Sequence, residues 1–441
     1  MPKGPSMPKT DLPVISLFSG ALGLDLGLEA AGFRVRVAVE CNRFAADTIR
    51  KNRPDVALIQ RRIEDVSTEE ILEAAGLRPG EPAVVTGGPS CQAFSTAGQR
   101  GSVKDPRGTM FRESLRVVRE ARPRFFVMEN VRGVLSAAVH HRPLKDRGPG
   151  HPPLSADEEL GSAFVLIVRE LRETGYSVAF DLLNSADFGV PQTRERVVFI
   201  GSRDGEVLEG PERTHARVPT DDRKPWVTLG EALHDLEDPE PAYLELPSGK
   251  KKFMRHIPAG GNWRALPARM QAEALGGAFT SWGGRVGFFR RLSWDKPAPA
   301  LTTRPDSKAT MLCHPSELRA LSVREYARVQ QFPDGWDFAG GTPQKYTQIG
   351  NAVPVGLGKA VGLALRKAMR RQRRKRPTGT VVCLSETLLD RMIQRPRTIL
   401  NPIRMRRVKD PDAAKAWLAS TSRTRSQLLA WLSFGVDSHG A

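Results

Sequence analysis

The chain has 441 residues, 40% of them apolar, which is enough to build two or three domains with their own cores. No run approaches the roughly 18 apolar residues of a membrane span, the opening Met-Pro-Lys-Gly-Pro-Ser is no signal peptide, and the four cysteines are too scattered for a disulfide framework or a metal site. The formal charge is +18, of which +13 lies between Arg366 and Ala441, where 18 Lys+Arg face 5 Asp+Glu; this points to a polyanionic partner, nucleic acid before membrane. A cytoplasmic protein is expected, with no membrane and no metal involved.

The first 200 residues alternate short β-rich runs with helical patterns, which predicts an α/β fold with a mostly parallel, doubly wound sheet. The clearest strands are Val14-Ile15-Ser16-Leu17-Phe18, Val35 to Val39, Ala83 to Val85 and Phe125-Phe126-Val127-Met128. Ligands of such sheets bind at the carboxyl ends of strands, so Gly20, Glu40, Cys91 and Glu129 are expected along one edge. From Ser202 to about Lys308 the texture changes to Pro, Gly, Trp and charge with no sustained period, which reads as a second, irregular domain. Regularity returns near Leu318, where Ser322 and Glu325 have capping-box spacing. Gln348-Ile-Gly-Asn-Ala-Val-Pro354 and a further helix follow. The expected division is 11–201 and 318–369 for one α/β lobe, 202–317 for a smaller, irregular domain and 370–441 for a basic extension. Pro411 to Phe434 could add a helix within that extension.

Cys91 lies in Gly87-Gly-Pro-Ser-Cys-Gln-Ala-Phe-Ser-Thr-Ala-Gly98, a loop of Gly and small polar residues after a strand. Such a loop gives a thiolate nucleophile backbone room and polar neighbours, although on its own it reads equally as a Gly-rich turn. Phe18-Ser19-Gly20-Ala-Leu-Gly23 joins the first strand to the first helix, where glycine lets a nucleotide approach the backbone. Glu40 ends the next strand, where an acid accepts ribose hydroxyls, and Asp65 could accept from an adenine amine. An adenosine site with no pyrophosphate cradle favours S-adenosylmethionine over NAD. Glu129 ends the strand Arg124 to Met128, where it has either a ligand or a salt-bridge partner. Gln192, Arg194 and Arg196 alternate before Val197-Val-Phe-Ile200, so a β period would put all three on one cationic face.

The order and wording of these motifs resemble the DNA cytosine-5 methyltransferases from about Asp11 to Leu365. The match includes Phe-Ser-Gly-Ala-Leu-Gly-Leu-Asp, Gly-Gly-Pro-Ser-Cys-Gln-Ala-Phe-Ser, Glu-Asn-Val, Gln-Thr-Arg-Glu-Arg, Gly-Gly-Asn-Trp, Arg-Glu-Tyr-Ala-Arg-Val-Gln-Gln-Phe-Pro-Asp and Gly-Asn-Ala-Val-Pro. The resemblance implies a Rossmann-like methyltransferase sheet and S-adenosylmethionine as cofactor. It implies Cys91 as nucleophile toward C6 of cytosine, Glu129 on the N3 and amine edge, Arg196 on O2, and Arg194 beside the thiolate and a phosphate. Phe18, Ser19, Gly20, Gly23, Glu40, Asp65, Pro89, Asn351 and Val353 would form the cofactor site. Gln92, Ser95, Arg100, Lys104 and Gln192 would contact double-stranded DNA, with the loop from Thr96 to Arg107 closing on it. The base must leave the stack to be reached. A monomer is expected, and a restriction endonuclease acting separately is a candidate partner. Ser90 stands where the family usually has proline, and Leu22 where a further glycine is common. A tRNA-directed branch of the family and a non-catalytic DNA-binding regulator are the alternatives; the long variable region speaks against the first and the intact catalytic residues against the second.

Overall fold

Pro13–Leu17 is buried along its whole length and forms strand β1, as a continuous apolar run in a parallel sheet must. The structure is a computed structural model describing residues 12–89, 109–143, 146–147, 150–280, 286–370, 376–385 and 388. After β1 come α1 (Gly23–Ala30), β2 (Arg34–Val39), α2 (Arg43–Asn52), β3 (Ala57–Ile59), α3 (Thr68–Ala75), β4 (Val84–Gly87), α4 (Thr109–Ala121) and β5 (Phe125–Val131). The chain continues through α5 (Ser162–Arg172), β6 (Ser177–Asn184), β7 (Gln192–Thr193), β8 (Glu195–Ser202), β9 (His215–Ala216) and β10 (Lys224–Pro225). The later elements are α6 (Leu229–Leu233), α7 (Ser248–Met254), α8 (Ala268–Leu275), β11 (Ala298–Pro299), α9 (Val323–Val329), α10 (Thr342–Asn351), α11 (Val355–Arg370) and β12 (Val381–Cys383).

Eight strands form one sheet in the order β12-β6-β8-β5-β4-β1-β2-β3, with β8 antiparallel to β5 and β6 and the other pairs parallel. Both faces are covered. Ile15, Leu17, Val37 and Phe126 pack with Leu115 of α4 and Phe164 and Val168 of α5, while Val14, Val35 and Phe125 pack with Leu28 of α1 and Leu357 and Val361 of α11. A register shift between β1 and β2 sends Val35 and Val37, two residues apart, to opposite cores.

The return of the chain to the sheet depends on close helix packing. A Cβ on Gly27 would lie 2.3 Å from the Val355 carbonyl oxygen, so α1 and α11 meet backbone to backbone. Helix α9 begins with the expected capping box: the Ser322 Oγ accepts from the Glu325 N–H, and the Glu325 carboxylate accepts from the Ser322 N–H at 2.6 Å. Between 246 and 313 a separate cluster of Phe253, Met254, Trp263, Phe289, Met311 and Cys313 gathers short helices and irregular backbone around its own small core.

Strand β12 falls inside the stretch 370–441 that the sequence suggests is a basic extension. Instead Val381 pairs with Val178 at the sheet edge, the Arg376 N–H donates to the Gly205 carbonyl at 2.7 Å, and Val381 is buried. A three-residue apolar run beside an arginine cluster is too short to register as a strand in the sequence. The candidate helix Pro411 to Phe434 lies outside the described residues.

Candidate active site

The carboxyl end of β1 turns sharply. Phe18, Gly20 and Leu22 take left-handed backbone conformations, with φ of 53°, 53° and 66°. For a residue such as Leu22 this conformation costs about 1–2 kcal/mol. Its side chain is completely buried in the α1 and α11 core, which contributes about 1.5–3 kcal/mol and offsets the strain. Leu22 thus holds a conformation that suits glycine, exchanging conformational ease for packing.

Glu40, at the end of β2, fastens this turn. Its two carboxylate oxygens accept the N–H of Gly20 at 2.8 Å and of Asn42 at 2.7 Å. Burial pushes the carboxyl above its ordinary range, and the backbone N–H groups of Asn42, Gly20 and Cys41 pull it back. Each oxygen keeps lone-pair capacity for a further donor, and none of the described residues comes within 4 Å of a Cβ placed on Gly20. The residues therefore fit a nucleoside whose hydroxyls donate to an acid. Ser19 is buried with its hydroxyl on the Ser16 carbonyl, and Phe18 is partly exposed. Asp65 ends the 3-10 turn Ile63–Asp65 and is exposed. Asn351 is exposed at the end of α10, while Val353 is buried and its carbonyl lies against Gly23, where a Cβ would come within 2.3 Å. Gly23 is thus required for helix packing beside the turn, whatever else it touches.

Glu129 on β5 and Arg196 on β8 form an ion pair, Nε to Oε1 2.5 Å, with both side chains nearly buried at 12% and 13% exposure. Antiparallel pairing of β5 and β8 brings them together, since Glu129 lies opposite Val198 and Val131 opposite Arg196. Gly88, one residue beyond β4, faces this pair: a Cβ there would be 3.2 Å from Glu129 Oε2. Pro89 is buried. Ser90, Cys91, Gln92, Ser95, Arg100 and Lys104, with the loop from Thr96 to Arg107, lie outside the described residues.

The expectation that Gln192, Arg194 and Arg196 share one cationic face is corrected. Strand pairing breaks between β7 and β8, at Arg194, so the period of two does not run through. Gln192 is fully buried: its amide nitrogen donates to Gln330 Oε1 at 2.8 Å and its oxygen accepts the Leu301 N–H at 2.9 Å. This leaves no surface for a DNA contact. Arg194, 2% exposed, donates to the carbonyls of Leu301 at 3.0 Å and Gly350 at 2.9 Å, which makes it a clamp on the backbone. Gln330, buried on the capped helix side of the chain, extends the clamp by donating to the Ile349 and Ala352 carbonyls. Together these side chains lock the turn at 349–353 against Gly23. The sequence carries no signal for Gln330, because its partners lie 138 and 19 residues away.

Among the described residues no His, Cys, Asp and Glu group could hold a metal ion, and no helix is long and apolar enough to cross a membrane. A doubly wound sheet with an acid-fastened glycine turn at one strand end and a carboxylate-guanidinium pair on nearby strands fits a transferase that uses a nucleoside cofactor. Residues 12–367 match the family described as C-5 cytosine-specific DNA methylase. The chain is 37% identical over 363 residues to the Type II methyltransferase M.PspPI of Psychrobacter sp. (strain TA137), covering 81% of this chain and 80% of that one. Identity to the Type II methyltransferase M.Sau96I of Staphylococcus aureus is 37% over 357 residues, 80% and 76% of the two chains. The crystal structure of a Spodoptera frugiperda DNMT2 mutant shares the fold, with a TM-score of 0.53 at 16% identity over 80% of this chain and 99% of that one. The chain belongs to the C-5 cytosine-specific DNA methylase family, enzymes that take their methyl group from S-adenosylmethionine.

Proposed function

We propose that this enzyme methylates C5 of a cytosine within a specific double-stranded DNA sequence, through a covalent bond between Cys91 and C6 of a base flipped out of the duplex. The observation that carries the reading is the Glu129–Arg196 pair facing Gly88, three residues before Cys91, so the nucleophile's loop starts beside the only acid of the Glu-Asn-Val motif. C5 of cytosine is a weak nucleophile. Addition of the Cys91 thiolate to C6 moves the ring electrons onto C5 and splits one hard step into two. Glu129 holds the N3 and amine edge, and Arg196, already paired with it, reaches O2. S-adenosylmethionine, which Glu40 and the Phe18–Gly20 turn would hold, would supply the methyl group that C5 takes up, the S–CH3 bond breaking to leave the thioether S-adenosylhomocysteine. Loss of the C5 proton and breakage of the C6–S bond then release the product base and the free thiolate.

The segment 202–317 reads the target sequence, consistent with its own small core and irregular backbone. The Type II names of the relatives support a place in a restriction-modification system, with an endonuclease acting separately on the same site. Binding as a monomer and a cytoplasmic location complete the reading.

Bisulfite sequencing of DNA from cells expressing the chain should reveal one methylated motif. A duplex of that motif with 5-fluorocytosine at the target should then become covalently attached, because the fluorine cannot leave as a proton does. Mass spectrometry should find the adduct on Cys91, and Cys91→Ser should form none. Attachment at Cys41, Cys313 or Cys383 would refute the assignment.

A further inference from the structure

A cleft of about 510 Å³ opens on the side of the Glu129–Arg196 pair away from the cofactor turn, within the ~300–1,000 Å³ span of ligand pockets. It sits where β5 and β6 end and β8 begins, and its walls include Arg132, Asn184, Thr193, Glu195, Arg196 and Trp226. Three features of this wall fit one ligand chemistry. Trp226 supplies a planar apolar face and is fixed in place, since its indole N–H donates to Asp187 at 3.0 Å and Asp187 is itself paired with Arg213. Arg132 supplies a guanidinium fork, the geometry that matches phosphate oxygens. Its partner is Glu195, at 2.5 Å, with the two side chains 38% and 35% exposed. An ion pair that open to water is weak and exchangeable.

We propose that this cleft seats the nucleotide adjoining the target cytosine, with its phosphate on Arg132 and its sugar-base body against Trp226. The proposal rests on the methyltransferase reading above. Arg132 follows Glu129 by three residues and Glu195 precedes Arg196, so the cleft continues the base site along the same two strands. In free enzyme Glu195 neutralises Arg132. Incoming phosphate takes its place, and Glu195 then acts as a competitor that DNA must displace. Arg132 and Trp226 are thus binding residues for the flanking strand, and Glu195 tunes them.

The test is fluorescence titration of a labelled duplex carrying the methylated motif, at a series of salt concentrations. Arg132→Gln should weaken binding about tenfold and reduce the slope of log affinity against log salt by about 0.9, the loss of one phosphate contact. Arg132→Lys should retain the slope. The double variant Arg132→Gln/Glu195→Gln should show the same reduced slope, which separates a lost contact from repulsion by an orphaned Glu195. Glu195→Gln alone should bind several-fold tighter with the slope intact. Trp226→Ala should weaken binding about tenfold without changing the slope, because stacking involves no counterion. Calorimetric titration should find S-adenosylmethionine affinity unchanged in all of them. Wild-type affinity and slope in Arg132→Gln, with wild type active, would overturn the subsite alone; failure of wild type to methylate any cytosine would overturn the function and the subsite together.

Discussion

Replacing Gly27 by alanine sets local propensity against tertiary packing, and the two predict opposite signs. In an exposed helix the change adds about 1 kcal/mol of stability, since alanine is the better helix former. In this structure the new Cβ would lie 2.3 Å from the Val355 carbonyl oxygen, 2.5 Å from the Lys359 nitrogen and 2.6 Å from the Gly358 carbonyl carbon. All three belong to the backbone of α11, and ordinary contact begins near 3.4 Å, so α11 must move away from α1 by about 1 Å. Overpacking of this kind costs about 1–3 kcal/mol, and here the upper end applies because Leu28, Leu357 and Val361, all fully buried, would lose contact across the seam. The net expectation is a loss of about 2 kcal/mol in urea denaturation. Cofactor affinity should fall as well, because α11 carries with it the Val353 carbonyl that rests on Gly23. Gly249→Ala in α7 is the control: none of the described residues outside its own helix lies within 4 Å of its Cβ position, so it should be neutral or stabilising by up to about 1 kcal/mol. A Gly27→Ala protein as stable as wild type would refute the backbone contact between the two helices.

Arg194→Met removes two hydrogen bonds to buried carbonyls, each worth about 1.5–3 kcal/mol for a charged donor, and should destabilise the protein by about 3–5 kcal/mol on denaturant unfolding. Arg194→Lys should not restore it, since one ammonium cannot span both carbonyls. If Arg194 instead faces the thiolate, stability will hold while the pH profile of adduct formation moves. Asp25 gives a pH-dependent expectation. Burial pushes its carboxyl from 3.8 up to about 7, against a hydrogen bond with Ser16 that favours the charged form, and its Oδ1 has no hydrogen-bond partner among the described residues. Folded protein therefore holds a proton that unfolded chain releases, so stability falls as pH rises between about 4 and 7, by at most about 4 kcal/mol. Asp25→Asn should lack this component, so the wild-type curve should drop relative to the variant across that window. Parallel curves would show that Asp25 is ionised in the folded protein.

The strands β1, β4 and β5 were legible because each holds a run of buried, mostly apolar residues, a pattern that a parallel sheet buried on both faces selects for, while β2 was legible from its valines at 35, 37 and 39 in spite of Arg36. The acids Glu40 and Glu129 were legible for the related reason that a charge ending such a run needs a partner, and the structure supplies Gly20 and Asn42 for one and Arg196 for the other. The capping box at Ser322 was legible because all its hydrogen bonds close within three residues. Sequence periodicity gave the wrong outcome at Gln192 and Arg194, where a break between two strands turns side chains that alternate along the chain into a buried lock on Leu301 and Gly350. Strand β12 escaped notice because its three residues acquire their hydrogen-bond partners only from β6, some 200 residues earlier. Local chemistry and pattern are written in neighbouring residues, so the sequence by itself determined the four central strands, the turn after β1 and the family. Which polar groups fasten backbone, as Gln192 and Arg194 do, depends on contacts between distant segments, and only the tertiary structure decided that.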